Sequence, residues 1–81
     1  MKNLGDAVVN RLNKYLYERN LTQYKLAELS GVPFATIKSI MQRRTNSINL
    51  KTIILISAGL QIEPWEFIKD KSFLVENLDL E

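Results

Sequence analysis

Residues 22–41 hold two short segments with helix-like apolar spacing, and the two segments meet at a glycine. Ala27 lies in the first segment, Ile37 and Ile40 lie in the second, and Gly31 separates them. Glycine adopts the left-handed backbone conformation at little cost, so Gly31 is suited to end one helix and turn the chain into another. Helices that cross steeply come close together, and a side chain larger than that of Ala27 would push them apart. The stretch therefore predicts two short helices joined by a tight turn.

Three further segments with helical periodicity complete a fold that we predict to be all-α, a compact five-helix bundle. In the first segment, Val8, Leu12 and Leu16 recur every four residues and define one apolar stripe. In the last, Trp65 and Phe67 are expected to close the core as lids. The alternation typical of strands is poor throughout, and we allow for one short additional helix near the C-terminus. The predicted helices cover residues 6–19, 22–30, 33–42, 50–60 and 64–68.

Residues at the expected helix boundaries support these positions. Asp6, Thr22 and Asn49 have side chains that can accept hydrogen bonds from the amides of a first helical turn. The first helix can stop at Asn20. Pro33 suits the first turn of the third helix because the N–H that proline lacks is not needed there.

Charge is distributed unevenly along the 81 residues. Nine of the eleven lysines and arginines precede residue 52, whereas six of the nine acidic residues follow it. This division favours one surface for a polyanion and an acidic end held away from it. A chain of this length suits one small domain. We therefore predict a single domain over residues 1–81, with its core in residues 8–68 and an acidic tail in residues 70–81.

The composition argues against several classes of function. The chain has no cysteine and no histidine, so it lacks disulfides, thiolate metal ligands and the commonest general base. It has no phosphate-binding glycine loop, and Glu63 and Glu66 simply suit the start of a helix. No apolar run approaches the roughly 20 residues that span a bilayer, and the N-terminus lacks a signal-peptide core. We predict a cytoplasmic protein, without membrane contact, that is not an enzyme and needs no cofactor or metal.

An ordered set of residues extends across these helices: Leu21-Thr22-Gln23, Leu26-Ala27, Gly31-Val32, Thr36-Ile37 and Ile40, then Leu50, Thr52, Ile53, Ile56, Leu60, Ile62 and Pro64-Trp65-Glu66-Phe67. This set resembles the lambda-repressor/Cro-like, XRE-type helix-turn-helix family over roughly residues 8–68. The resemblance implies that the second and third helices form a helix-turn-helix. It further implies a sequence-specific transcriptional regulator, in particular a repressor, that binds double-stranded DNA as a homodimer at a prokaryotic or phage-type nucleoid.

The resemblance also implies which residues contact DNA. The second helix would present its start to the DNA backbone or an edge base, and the third helix would enter the major groove. Helix geometry agrees, because burying Ile37, Ile40 and Met41 turns the opposite edge of the third helix outward. The loop that follows, together with Lys51, would clamp a neighbouring phosphate strand. The expected DNA-binding residues are Thr22, Gln23, Pro33, Phe34, Ala35, Thr36, Lys38, Ser39, Arg43, Arg44, Thr45 and Asn46.

The sequence departs from the family pattern at four structural positions. Leu16 and Met41 stand where the family commonly has an arginine and a glutamate in a partly buried ion pair. Exchanging such a pair for apolar residues is often neutral or stabilising, so the fold is not in doubt. Arg43 and Gln61 replace glycines that commonly follow the third and fourth helices. The turns at these two residues must therefore close differently.

The base-reading positions depart further from the family. Pro33, Phe34 and Ala35 have no side-chain group that hydrogen-bonds to a base edge, although Ala and Phe can contact the methyl group of thymine. Lys38 could reach a guanine, and Ser39 could pair with several bases. Three interpretations of Phe34 stay open: contact with DNA, packing over the helix edge, or contact with a protein. The last gives an alternative function, a protein-interaction module such as an antirepressor or antitoxin that binds its partner through the apolar recognition-helix face.

The fourth helix carries more apolar residues than one buried stripe needs. Leu55 stands where the family usually has a charged residue. Either the tail residues Phe73, Leu74 and Leu78 fold back over it, or a second subunit covers it. A homodimer is favoured because two-fold pairing would also set two recognition helices about one DNA turn (~34 Å) apart.

Overall fold

Five α-helices pack around an apolar core in the computed structural model, which describes residues 2–44 and 48–80. Each helix supplies a fully buried side chain to this core: Leu12, Leu26, Ile37, Ile56 and Phe67, in chain order. The prediction of an all-α fold with five helices is therefore confirmed. The helices are α1 (Leu4–Glu18), α2 (Gln23–Ser30), α3 (Phe34–Met41), α4 (Leu50–Gly59) and α5 (Pro64–Ile68).

The helices begin at residues whose side chains or backbone suit an N-cap. Thr22 and Asn49 accept hydrogen bonds from the amides of Lys25 and Thr52, as predicted. The prediction for α1 is wrong, because Asn3 rather than Asp6 is its cap and the Asn3 Oδ1 accepts from the Asp6 amide at 2.8 Å. Asp6 instead lies in the first turn of α1, where its charge is favourable to the helix dipole.

Three helices end on a residue other than glycine in the left-handed conformation. Asn20, Arg43 and Gln61 have φ of 54°, 57° and 59°, and they follow α1, α3 and α4. At each, the amide of the next residue bonds to a carbonyl five residues back, which is the Schellman arrangement. The expectation that the turns at Arg43 and Gln61 close differently is therefore wrong. Both turns keep the geometry that glycine would provide, and the Cβ atoms of Arg43 and Gln61 make this backbone conformation strained.

The packing of α4 against α2 depends on Gly59. A Cβ built at Gly59 would lie 2.9 Å from the backbone nitrogen, Cα and Cβ of Ser30, the last residue of α2. Real Cβ atoms do not approach backbone atoms so closely, so a larger residue at 59 would push the two helices apart. Ala27, the small residue predicted at a helix crossing, is also buried in the core.

Arg11 joins α1 to the end of α5. Its guanidinium is buried and donates from Nε to the Phe67 carbonyl at 2.7 Å and from Nη2 to the Glu66 carbonyl at 2.6 Å. These carbonyls lie in the last turn of α5, where a cation is favourable. Asp70, 3.8 Å from Arg11, has its pKa lowered chiefly by hydrogen bonds from the Ser72 hydroxyl and amide and further by the Arg11 charge.

Where we allowed for one short additional helix, the tail forms 3-10 rather than α-helical structure. It makes two 3-10 turns at Lys71–Phe73 and Val75–Asn77, followed by a strand at Leu78–Asp79. This strand pairs in parallel with Lys2–Asn3, which precede α1, so the fold contains a two-residue strand pair that poor alternation did not predict. Leu78 becomes buried beside α1 as a result.

Candidate nucleic-acid interface

The turn between α2 and α3 fixes the relative positions of the two helices. Gly31 takes φ of 74° and its amide bonds to the Ala27 carbonyl at 3.0 Å, which closes α2. The Ser30 hydroxyl then accepts from the Val32 amide at 3.1 Å, and Val32 is buried. The turn that we predicted at Gly31 is confirmed, and it sends α3 across α2 with only three residues between the helices.

One edge of α3 is buried and the other faces solvent. Ile37 and Ile40 are buried in the core, and Met41 is partly buried against it. The opposite edge is exposed except for Ser39, which is half-buried. The predicted outward edge is therefore the exposed one, although its contact with DNA stays a prediction. Its other residues are Phe34, Ala35 and Lys38, and the C-cap Gln42 continues the same exposed edge.

The start of α3 offers backbone amides rather than polar side chains. Pro33 occupies the N-cap, one position earlier than predicted, and its carbonyl accepts from the amides of Thr36 and Ile37. No side chain caps this helix. As at the start of any α-helix, the amides of Phe34 and Ala35 have no acceptor within the helix. This end of α3 is therefore electropositive and suits a phosphate contact.

An aromatic pair joins the starts of α2 and α3. The rings of Tyr24 and Phe34 lie edge to face, with centroids 5.6 Å apart and an interplanar angle of 63°. Both stay exposed, Tyr24 by 61% and Phe34 by 42%. Tyr24 is not among the residues predicted to contact DNA. The available signal was its place two residues after the Thr22 cap, at the outer start of a helix that the turn folds against the start of the next.

The basic side chains near α3 differ in their surroundings. Arg43 donates from Nε to the Asp6 carboxylate at 2.7 Å, so the turn after α3 is tied to the start of α1. Lys38, Arg44 and Lys51 are exposed. The Arg43 side chain is itself 52% exposed and can be reached from outside while it holds Asp6. Two predicted DNA-binding residues, Thr45 and Asn46, lie outside the described residues.

Two short helices crossing at a glycine turn, with the second presenting an exposed edge beside basic residues, are typical of DNA-binding helix-turn-helix domains. The sequence model of the helix-turn-helix family matches residues 12–67, from within α1 to within α5. The chain belongs to the XRE-type helix-turn-helix family. Comparisons with curated proteins and with solved structures gave no match. Membership of this family supports DNA binding as the general activity.

This helix-turn-helix protein has two apolar residues where the family commonly has an ion pair, and both contribute to the core. Leu16 is buried in the core and Met41 packs against the core, at these two positions.

Within the described residues, no helix is long and apolar enough to cross a membrane. Across residues 2–44 and 48–80 there is also no cluster of three acidic, histidine or cysteine side chains arranged to hold a metal ion.

A second exposed surface lies away from α3. An apolar cleft of about 450 Å³ opens between the start of α1, α4, α5 and the tail. Trp65 lines it and is 64% exposed, so the prediction that Trp65 closes the core is wrong, whereas Phe67 is fully buried as predicted. Leu50, also on the cleft, is 70% exposed. The other residues along the cleft include Leu4, Val8, Ile53 and Ile68.

Two of the three tail residues that we predicted to fold back over Leu55 lie along this cleft instead. Phe73 and Leu78 line it, and the Phe73 ring lies 6.4 Å from the ring of Phe67. Leu74 remains 48% exposed, and Leu55 is half-buried against the main core. The burial of Phe73 and Leu78 thus comes from α1, α4 and α5 residues that line the same cleft. A cover for Leu55, whether tail or second subunit, stays a prediction.

Proposed function

We propose that this chain is a sequence-specific transcriptional regulator that inserts α3 into the major groove of double-stranded DNA. The observation that carries the proposal is the exposed edge of α3, which includes Lys38. Buried Ile37 and Ile40 hold this edge in place, and exposed Arg44 follows it. An α-helix of this width fits the major groove of B-form DNA. The chain acts without catalysis or a cofactor, in the cytoplasm at a prokaryotic or phage-type nucleoid.

The contacts divide into those that position the protein and those that select sequence. Thr22 and Gln23 stand at the start of α2, where the amides of Gln23 and Tyr24 have no acceptor within the helix, so they would meet the DNA backbone there. Arg43, Arg44 and Lys51 would contact phosphates on the neighbouring strand. Thr45 and Asn46 belong to the same proposed loop contact. The sequence-selecting residues would be those of the exposed α3 edge.

The regulator would act as a homodimer that represses transcription from a palindromic site. Repression follows from the resemblance of the ordered residue set to lambda-repressor and Cro-like proteins. Dimerisation is supported by the apolar cleft, because Leu50, Trp65 and Ile68 leave large apolar side chains exposed side by side. A two-fold axis would make each subunit cover the same surface of its partner.

Selection of DNA from a random pool, followed by a salt titration, tests this function. We expect an enriched palindromic motif, and an affinity that falls steeply between about 50 and 200 mM salt because bound lysines and arginines release counterions. Arg44→Ala should weaken binding to every sequence alike and reduce the slope of log affinity against log salt by about one. Glu28→Gln, at an exposed acidic position of α2, is the matched control and should not reduce that slope.

The alternative, a protein-interaction module such as an antirepressor or antitoxin, is favoured by one observation. The exposed Tyr24–Phe34 pair is a surface that a protein could bind in place of a base. A selection that enriches no DNA motif, combined with tight binding to a protein through this pair, would favour the alternative over DNA binding. Binding that ignores salt over the same range would also contradict the proposed phosphate contacts.

A further inference from the structure

The Tyr24–Phe34 pair is positioned where α3 would meet a base edge. Phe34 is the first residue of α3 and Tyr24 the second of α2, so the two rings stand together at the outer corner of the helix-turn-helix. Each ring exposes a large part of its surface even though the two touch edge to face. Burial of this exposed surface on binding would be favourable. A ring that served only core packing would already be buried and would have no such surface left.

The side chains at this corner carry little hydrogen-bonding capacity. Pro33, Phe34 and Ala35 have none, and the Tyr24 hydroxyl is the single polar group that the pair adds. The major-groove edges of the bases present donors, acceptors and one apolar group, the C5-methyl of thymine. The apolar side chains at this corner cannot bond to the donors and acceptors, but covering the methyl group contributes favourable binding free energy. This end of α3 should therefore select sequence through the thymine methyl group rather than through hydrogen bonds.

The contact between the rings gives Tyr24 a role of its own. An edge-to-face contact is a preferred aromatic geometry, and it restricts the orientations that the Phe34 ring can take on the surface. A ring held in place before binding loses less conformational freedom when it binds. Tyr24 is therefore a positioning residue for Phe34, and it also widens the apolar surface.

A polar reader lies one helical turn further along α3. Lys38 is exposed on the same edge as Phe34, four residues later. Its ammonium group can donate to guanine, which has two major-groove acceptors. The two ends of the α3 edge therefore have different chemistries, so their contributions to sequence selection can be measured separately.

We propose that Tyr24 and Phe34 together form an apolar reader for the C5-methyl group of a thymine in the DNA site. The proposal rests on the proposed function and deepens it, because it assigns the base group recognised at this corner. Phe34 contacts the methyl group, Tyr24 holds Phe34 in position, and the site carries a thymine at the base pair that faces the start of α3.

Replacing thymines by deoxyuridine, one at a time in the selected site, tests the proposal. Deoxyuridine keeps every hydrogen-bonding group of thymine and lacks only the methyl. At one position in each half-site we expect the wild-type affinity to fall about fourfold, the effect of one buried carbon group. Restoring an apolar group of similar size at that position with 5-bromodeoxyuridine should restore the affinity.

Protein variants show whether the pair reads the methyl. With Phe34→Ala, the deoxyuridine site and the thymine site should bind equally. Tyr24→Ala should reduce the discrimination, whereas Tyr24→Phe should keep it because the ring remains. Lys38→Ala is the matched control: it should weaken binding and leave the discrimination between thymine and deoxyuridine intact.

The outcomes separate this proposal from the proposed function. Sequence-specific binding in which no thymine position responds to deoxyuridine would overturn the methyl reader while DNA binding stands. A methyl effect that persists unchanged in Phe34→Ala would overturn the assignment to the pair. No sequence preference at all would overturn the proposed function itself. The wild-type deoxyuridine series needs no variant. If circular dichroism finds Phe34→Ala unfolded, Phe34→Leu replaces it, and this smaller side chain should cover less of the methyl and so reduce the discrimination between thymine and deoxyuridine.

Discussion

At the scale of single residues, the sequence predicts which side chains of a helix are exposed, but not which residues of other helices they contact. The outward edge of α3 follows from its own buried residues, so the exposure of Phe34 and Lys38 could be predicted. The partner of Phe34 could not, because Tyr24 lies on another helix and meets it only through the turn. Arg11 escaped for the same reason, since the carbonyls that it binds lie 55 and 56 residues away.

The left-handed residue after α4 gives a prediction at this scale. Gln61 has φ of 59°, a conformation that costs an L-residue about 1–2 kcal/mol. Glycine avoids this strain, but its greater freedom in the unfolded chain offsets part of the gain in stability. Gln61→Gly should therefore raise the free energy of unfolding by up to about 1 kcal/mol. Urea denaturation measures the change. Gln61→Ala keeps the Cβ and should give no gain, and a lower stability for the glycine variant would contradict a strained turn.

At the scale of elements, helix starts were predicted better than chain ends. Thr22 and Asn49 cap helices through contacts three residues away, which a local pattern contains. The cap at Asn3 was missed because Asp6 is also a good cap and comes later in the same short segment. The tail was missed because its strand is specified by Lys2–Asn3 at the far end of the chain. Pairing over that distance leaves no periodic signal in either segment.

The contact between α2 and α4 gives the prediction that belongs to this scale. Helix propensity alone predicts that Gly59→Ala stabilises α4 by about 1 kcal/mol. The structure predicts the opposite sign, because the added Cβ would lie 2.9 Å from the Ser30 backbone. We expect a loss of about 1–3 kcal/mol in the free energy of unfolding, as for other overpacked sites. Ala58→Gly, at the exposed neighbouring position, controls for propensity and should cost about 1 kcal/mol.

At the scale of the whole molecule, the surface proposed for DNA and the surface proposed for dimerisation lie on different elements. The α2 and α3 corner carries the aromatic pair and the basic residues, whereas the apolar cleft lies between α1, α4, α5 and the tail. The uneven charge of the sequence is consistent with this separation, since the acidic residues cluster in α5 and the tail. A dimer formed through the cleft would leave both α3 edges free to reach DNA. Leu55, by contrast, was singled out from family spacing, which does not indicate how deeply a neighbouring helix buries a side chain.

Charge placed on the cleft tests the proposed dimer. Trp65 is 64% exposed, so Trp65→Glu should leave the stability of the monomer nearly unchanged while it puts a like charge on both sides of a two-fold interface. We expect sedimentation to show a dimer for the wild type and a monomer for the variant. Affinity for a palindromic site should fall with the variant, whereas affinity for an isolated half-site should not change. Tyr17→Glu, on α1 at a residue that is 88% exposed, adds the same charge elsewhere and should remain dimeric. A Trp65→Glu protein that stays dimeric would exclude the cleft as the interface, and Ile54→Glu, at a residue of α4 that is 45% exposed, would then test the surface of α4 in the same way.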